Sequence, residues 1–284
     1  MPSQQQIERQ IATIDGLRDV IHSMRSLAAT YLRRAEERLS GLRAYADTVG
    51  RAIEDCLYGR EIALPDEELG GPAILVFFSE QGLCGRFNEV VAEAAAEHAR
   101  QLSEPGFIVV GRRGPALIRR EELRIIAELP STTSPDGDDI VIHAVARTVL
   151  SLHEKAAFGQ LYLLHARYLS PGRIEPAFER VLPIDLSQWR RADAGWRSRP
   201  HLALSRLVLL HELVSEYTFI SLFRAMTESL AGEHGMRLQS MEAAKSNIDD
   251  TLDELRLQSR IQRQNEITSE LLDVVSGSEA LTGR

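Results

Sequence analysis

The sequence has only two cysteines, Cys56 and Cys84, in 284 residues. That supports neither a disulfide framework nor a cysteine-based metal set, and it fits a reducing cytoplasm. No apolar run approaches the roughly 18 residues a membrane-crossing helix needs. Residues Met1 to Gln10 lack the apolar core of a secretory signal. The early Glu8 and Asp15 are unlike an Arg-rich, acid-poor transit peptide. Positive charge is also in deficit, with 33 Lys and Arg against 41 Asp and Glu and a net charge of -8. That balance argues against a general nucleic-acid binder with a basic face.

Proline is missing from both flanks. Of 11 prolines, Pro2 stands at the start and the rest fall between Pro65 and Pro200. Proline inside a helix costs about 3 kcal/mol, so the pattern predicts long helices around a compact middle. Three segments follow: 1–64, 65–200 and 201–284. In the first, apolar or small residues recur at Ile7, Ile11, Ile14, Ile21, Met24, Ala28, Tyr31, Ala35, Leu39, Leu42, Ala46, Val49, Ile53 and Cys56. Arg18 fills the one gap, and the mean step is about 3.5 residues, the coiled-coil period. The last segment is apolar from Leu202 to Leu230. It then thins to Met241, Ile248, Leu252, Leu255, Ile261, Ile267, Leu271 and Val274. One thin seam cannot bury so long a helix, so the first segment is its expected antiparallel partner. Gly232 and Gly235 mark a place where it could bend.

The middle alternates strand and helix signals. Ala73–Phe78 is a strand, Ser79–Asn88 a turn, Val90–Leu102 a helix and Gly106–Gly111 a second strand, together a βαβ unit with a parallel sheet. Ile140–Leu152 reads as a helix, Gln160–Arg167 as a strand and Arg173–Pro183 as a further edge strand. The expected fold class is α/β: a long antiparallel coiled coil of N- and C-terminal helices plus a central Rossmann-like α/β domain.

The chemistry of catalysis is largely missing. Ser79-Glu-Gln-Gly-Leu-Cys-Gly-Arg-Phe-Asn88 matches neither G-x-G-x-x-G nor G-x-x-x-x-G-K-[ST], and Glu80 at its mouth would repel phosphate. Cys84 reads as a small side chain packed under a tight turn, with no His or Asp beside it in sequence. His211-Glu212 lacks the second His of a zinc-protease motif. The expectation is a non-enzymatic chain with no cofactor and no metal.

Three stretches in order resemble the gamma subunit of F-type ATP synthases. Ile7-Glu-Arg-Gln-Ile-Ala-Thr-Ile14, with Met24 and Leu27-Ala-Ala-Thr-Tyr-Leu-Arg-Arg-Ala-Glu36, resembles that family's first helix. Strand 73–78 with Ser79-Glu-Gln-Gly-Leu-Cys-Gly85 and Asn88 resembles its strand followed by S-D-x-G-L-C-G-x-x-N. Glu233-His234, Arg237, Met241 and Ala244, then Arg263-Gln-Asn-Glu-Ile-Thr-Ser-Glu-Leu271, resemble its E-H-x-x-R-M-x-x-M-x-x-A and A-R-Q-x-x-I-T-x-E-L patterns. Departures at Gly16–His22, Arg86, Leu238 and Arg260 mark a divergent branch, as in an alternative type of F-type ATPase.

The resemblance implies a rotor inside a ring of alpha and beta subunits, with epsilon and the c-ring at its other end and catalysis on beta. It implies membrane association only through the complex, at the cytoplasmic face of a bacterial plasma membrane. It places Arg263, Gln264, Thr268, Arg237 and Met24 at contacts with beta, and Gly82, Cys84 and Gly85 in a structural turn. A coiled-coil adaptor or regulator that keeps this plan without rotating is the alternative, motivated by the divergent first helix. A Rossmann-type enzyme with helical arms is a third reading, opposed by the incomplete loop motif.

Overall fold

The structure is a computed structural model and describes residues 4–58, 70–170, 172–189, 202 and 204–282. The expected segment borders at 64/65 and 200/201 lie outside the described residues. Two helices dominate: α1, Gln4–Leu57, with 54 residues, and α5, Arg206–Thr282, with 77. Helix α5 is continuous through Gly232 and Gly235.

Contacts divide the chain into two compact units that cut across both helices: 1–27 with 240–284, and 28–239. In the first unit, Ile21, Met241, Ile248 and Leu252 form a buried seam flanked by Ile11, Ile14, Met24 and Ala244. Arg25 pairs with Glu242 at 2.5 Å and Asp15 with Arg256 at 3.8 Å. Numbers rise along one helix as they fall along the other, so the pairing is antiparallel.

The seam of α1 follows the sequence period closely. Ile7, Ile21, Ala28, Ala35, Leu39, Val49, Ile53 and Cys56 are buried, and the remaining positions of the series are half-buried. The seam of α5 ends sooner than expected. Ile261 and Ile267 are half-exposed, and Leu271 and Val274 are 61% and 70% exposed. The buried seam of the first unit reaches only to Leu252 along α5. The last turns of α5 lie beyond that seam.

The second unit holds a five-stranded sheet of order β3-β2-β1-β4-β5. The strands are β1 Pro72–Phe77, β2 Gly106–Val110, β3 Ile125–Leu129, β4 Gln160–Ser170 and β5 Arg173–Leu182. The first four in that order run parallel, and β5 is an antiparallel edge. Strand β1 is apolar throughout because both its faces are covered. Ala73, Leu75 and Phe77 meet α4 (Asp138–Glu154) and the Leu222–Leu230 stretch of α5. Ile74 and Val76, with Phe78 beyond the strand end, meet α2 (Phe87–Ala99) and Ile118 of α3 (Gly114–Arg120). Side chains alternate between faces with a period of two residues, so one short run builds two cores.

Strand β3 and helix α3 carried no signal strong enough to be expected. Strand β3 is a half-buried edge strand with Glu128 facing out. The charged run from Arg119 to Arg124 hides the short helix before it.

Candidate functional site

Part of each of the three stretches singled out in sequence, Tyr31, Ser79–Asn88 and Glu233–Arg237, meets at or beside the loop after β1. Within it, Asn88 Oδ1 accepts from the Ser79 backbone N–H at 3.0 Å, and Asn88 Nδ2 donates to Ser79 Oγ at 2.9 Å. Cys84 Sγ sits 3.6 Å from Ser79 Oγ and 3.3 Å from Asn88 Nδ2. Ser, Cys and Asn at this spacing thus close a turn around themselves. Gly85 supplies the positive φ of 57° that the turn requires. Burial pushes the Cys84 thiol up, so little thiolate is available for nucleophilic chemistry.

Helix α5 locks this turn from outside. Arg237 donates to Glu233 Oε1 at 2.6 Å and to the carbonyls of Gln81 and Gly82 at 3.3 Å each. Its Nη1 lies 3.1 Å from His234 Nδ1. His234 in turn meets the edge or face of Tyr31 from α1, with ring centroids 5.3 Å apart. Glu233, His234 and Arg237 are 4%, 9% and 6% exposed, so these bonds form in a largely dry junction. Met236 packs beside Gly85.

Glu80 does something different from what its position suggested. Its carboxylate accepts from the backbone N–H groups of Arg112 and Ser131, at 3.2 and 2.9 Å, and pairs with the Arg112 side chain at 3.3 Å. It ties together the loops that follow β1, β2 and β3. Ligands of open α/β sheets bind outside the carboxyl ends of the strands, where the chain order reverses. Here two backbone donors at those ends are taken by Glu80, and the carbonyls of the first loop are taken by Arg237. The site is built to hold segments together.

The other expected residues divide between the junction and the rest of the helices. Gly82 and Gly85 flank Cys84 in the junction, and Gly82 also faces the Arg113 guanidinium. Met24 is part of the half-buried rim of the α1–α5 seam in the first unit. Arg263, Gln264 and Thr268 are exposed on α5, with the Thr268 hydroxyl donating to the Gln264 carbonyl at 2.8 Å. Arg237, expected to face a partner carboxylate, spends both terminal guanidinium nitrogens inside the chain. The roles of Glu80 and Tyr31 were missed, and so was the buried pair His165–Glu228. The signal for that pair was a polar residue within the Leu161–Ala166 run of β4 and a carboxylate in the apolar part of α5. Among the described residues, no group of three or more His, Cys, Asp or Glu could hold a metal ion, and no helix is long and apolar enough to cross a membrane.

Two groups near the junction give opposite responses to acid. Burial and the Arg237 charge push His234 down to about 3 from 6.5. The unfolded chain then binds the extra proton first, so the stability this group contributes above pH 6.5 is lost as pH falls toward 3. Asp138 is pushed up to about 6 from 3.8 by burial, against the pull of Arg38 at 2.7 Å. The folded chain then binds its proton first, so stability is gained as pH falls through that window. Between pH 7 and 5 the two amount to a loss of about 2 and a gain of about 1 kcal/mol. His234→Gln is therefore expected to gain on the unaltered chain as pH drops over this range, and Asp138→Asn to fall behind it. Urea midpoints at the two pH values check this; parallel behaviour of all three proteins would refute the signs.

Two long helices and a mostly parallel sheet, joined within the second unit at a three-way junction, define a long-helix α/β class of protein. The model of the family described as ATP synthase matches residues 3–281. The chain belongs to that family. It is 28% identical over 293 residues to an ATP synthase gamma chain from Geotalea uraniireducens, with 100% of both chains covered. It is 29% identical to an ATP synthase gamma chain from Brucella anthropi, with 99% of this chain and 100% of that one covered. In fold it is similar to a chain from the rotor of the Euglena gracilis mitochondrial ATP synthase, with a TM-score of 0.62 at 12% identity over 93% of this chain and 98% of that one. A chain from the central stalk and c-ring structure of the Tetrahymena thermophila mitochondrial enzyme gives 0.58 at 16% identity, over 79% of this chain and 99% of that one.

Proposed function

We propose that this chain is the gamma-type, non-catalytic rotor subunit of a bacterial F-type ATP synthase. Residues 1–64 and 201–284 form the shaft and 65–200 the central domain. The observation that carries this is the family match along almost the whole chain, laid on paired terminal helices that bury their seam against each other. Such a pair, turning inside a ring of alpha and beta subunits, would move the beta subunits in turn between open and closed states, a coupling by rigid-body displacement. Epsilon and the c-ring are the proposed partners at the central domain, and the membrane is reached only through them, on the cytoplasmic face. The exposed Arg263, Gln264 and Thr268 are suited to contact with beta. Met24, on the seam beside Met241 and Ala244, is a further proposed position facing beta, and Arg237 serves the coupling indirectly by fixing the loop after β1.

Co-expression of the tagged chain with the alpha and beta subunits of its own genome tests the proposal. The expected result is a stoichiometric complex with a single copy of this chain per ring, and ATP turnover that depends on it. A chain that stays alone in solution would favour the adaptor reading instead.

A further inference from the structure

Helix α5 is buried almost all round from Ile220 to Gly235. Apolar packing fills that passage, yet apolar packing alone tolerates a repacked rotation of one element past another. Directional polar bonds do not, and a row of them lies on one face of α5. Arg224 Nη2 pairs with Glu179 of β5 at 2.6 Å. One turn on, Glu228 Oε2 lies 3.0 Å from His165 Nε2 of β4, with side chains 6% and 1% exposed. Arg43 of α1 approaches the other oxygen of Glu228 at 3.7 Å. Ser229 Oγ accepts from the Ala166 backbone N–H at 3.1 Å, just past the last β1–β4 partners, Val76 and Leu164. One further turn on, Gly232 lets the helix close on the sheet: a Cβ there would stand 3.0 Å from Ile174 Cγ2 and 3.4 Å from Ala166 Cβ.

We infer that Glu228, with His165 and Ser229, is a torsional key that fixes the rotational register of α5 against the β4–β5 edge, so that twist passes between helix and domain without slip. These are positioning residues. Burial alone would raise the Glu228 carboxyl; the hydrogen bond and charge of His165, with Arg224 and Arg43, outweigh it and hold the group below its usual value. Glu228 is thereby kept as the anionic hub of α1, β4 and α5. The use of the key rests on the rotor reading, whereas its existence rests on the bonds alone.

Two measurements separate these. In the full chain, Glu228→Ala and Ser229→Ala should each speed amide exchange at Ala166 about tenfold, the local cost of a lost buried partner. The Ile108 amide in β2 should be unchanged. Glu228→Gln, which keeps an acceptor for His165, should restore most of the protection. His165→Ala with Glu228→Ala should be no faster than either alone. Wild-type exchange at Ala166 in the alanine variants would overturn the key.

In the assembled complex, a probe on Glu97→Cys, at an exposed site of α2, reads angular fluctuation with the ring held still. Angular variance varies inversely with stiffness, so loss of one of the two buried bonds should widen it about twofold. An unwidened distribution in a complex that assembles would overturn the transmission role. Failure of the unaltered chain to assemble would count against the rotor reading and leave the exchange result to decide the key.

Discussion

Replacing Arg237 with alanine is expected to lower stability by about 3–5 kcal/mol, the range for removing one partner of a buried ion pair. The residue is 6% exposed and holds four groups at once: Glu233, His234 Nδ1 and the carbonyls of Gln81 and Gly82. Its removal leaves the Glu233 carboxylate, 4% exposed, without its cation. Burial already raises the Glu233 carboxyl even with Arg237 present. Two loop carbonyls lose their side-chain donor in the same step. The urea midpoint should fall with little change in slope, because the same surface is exposed on unfolding. Adding Glu233→Gln to an Arg237→Met background should recover a large share, since a neutral amide is cheaper to bury than an unpaired charge. A fall below about 1 kcal/mol in Arg237→Ala would mean that the loop finds other donors and that Arg237 does not hold the junction together.

The second large effect concerns motion. Arg263→Ala combined with Gln264→Ala is expected to lower ATP-driven rotation about tenfold, the worth of roughly one charge-assisted bond made in one rotary state and released in the next. Both residues are exposed on α5, where a side-chain change removes no core contact. The thermal midpoint of the chain and its assembly with alpha and beta should therefore stay as they are. That separation is the test: a stable, assembled complex with normal coupled turnover would defeat the assignment. An arginine suits such a site because its planar fork bonds a carboxylate directionally and stays charged throughout.

These two arginines show how far a sequence can be read. Both sit in stretches that resembled one family, and the family match along residues 3–281 agrees with that resemblance. From the motif alone both read as outward-facing contacts. Only the fold separates them, since Arg237 lies where α5 is enclosed and Arg263 lies where it is not. Glu80 shows the same limit from the other side. As a carboxylate at the mouth of a β–α loop it was legible as hostile to phosphate. Its acceptance of the Ser131 N–H, 51 residues away, was not legible.

What the sequence determined by itself is what depends on near neighbours along the chain. A proline-free flank with an apolar residue about every 3.5 positions can only bury its seam as a paired helix, and α1 keeps that series in place from Ile7 to Cys56. A short run such as Ala73–Phe77 is apolar at every position, and it forms a strand covered on both faces. What the tertiary structure decided is which distant groups meet. Arg237 reaches the Gln81 carbonyl across 156 residues, Glu228 reaches His165 across 63, and Leu271 and Val274 lie exposed beyond the buried seam that ends at Leu252. Periodicity fixes the face a residue presents, but the group that face finds depends on where the whole sheet and both helices are held, and local spacing carries no record of that.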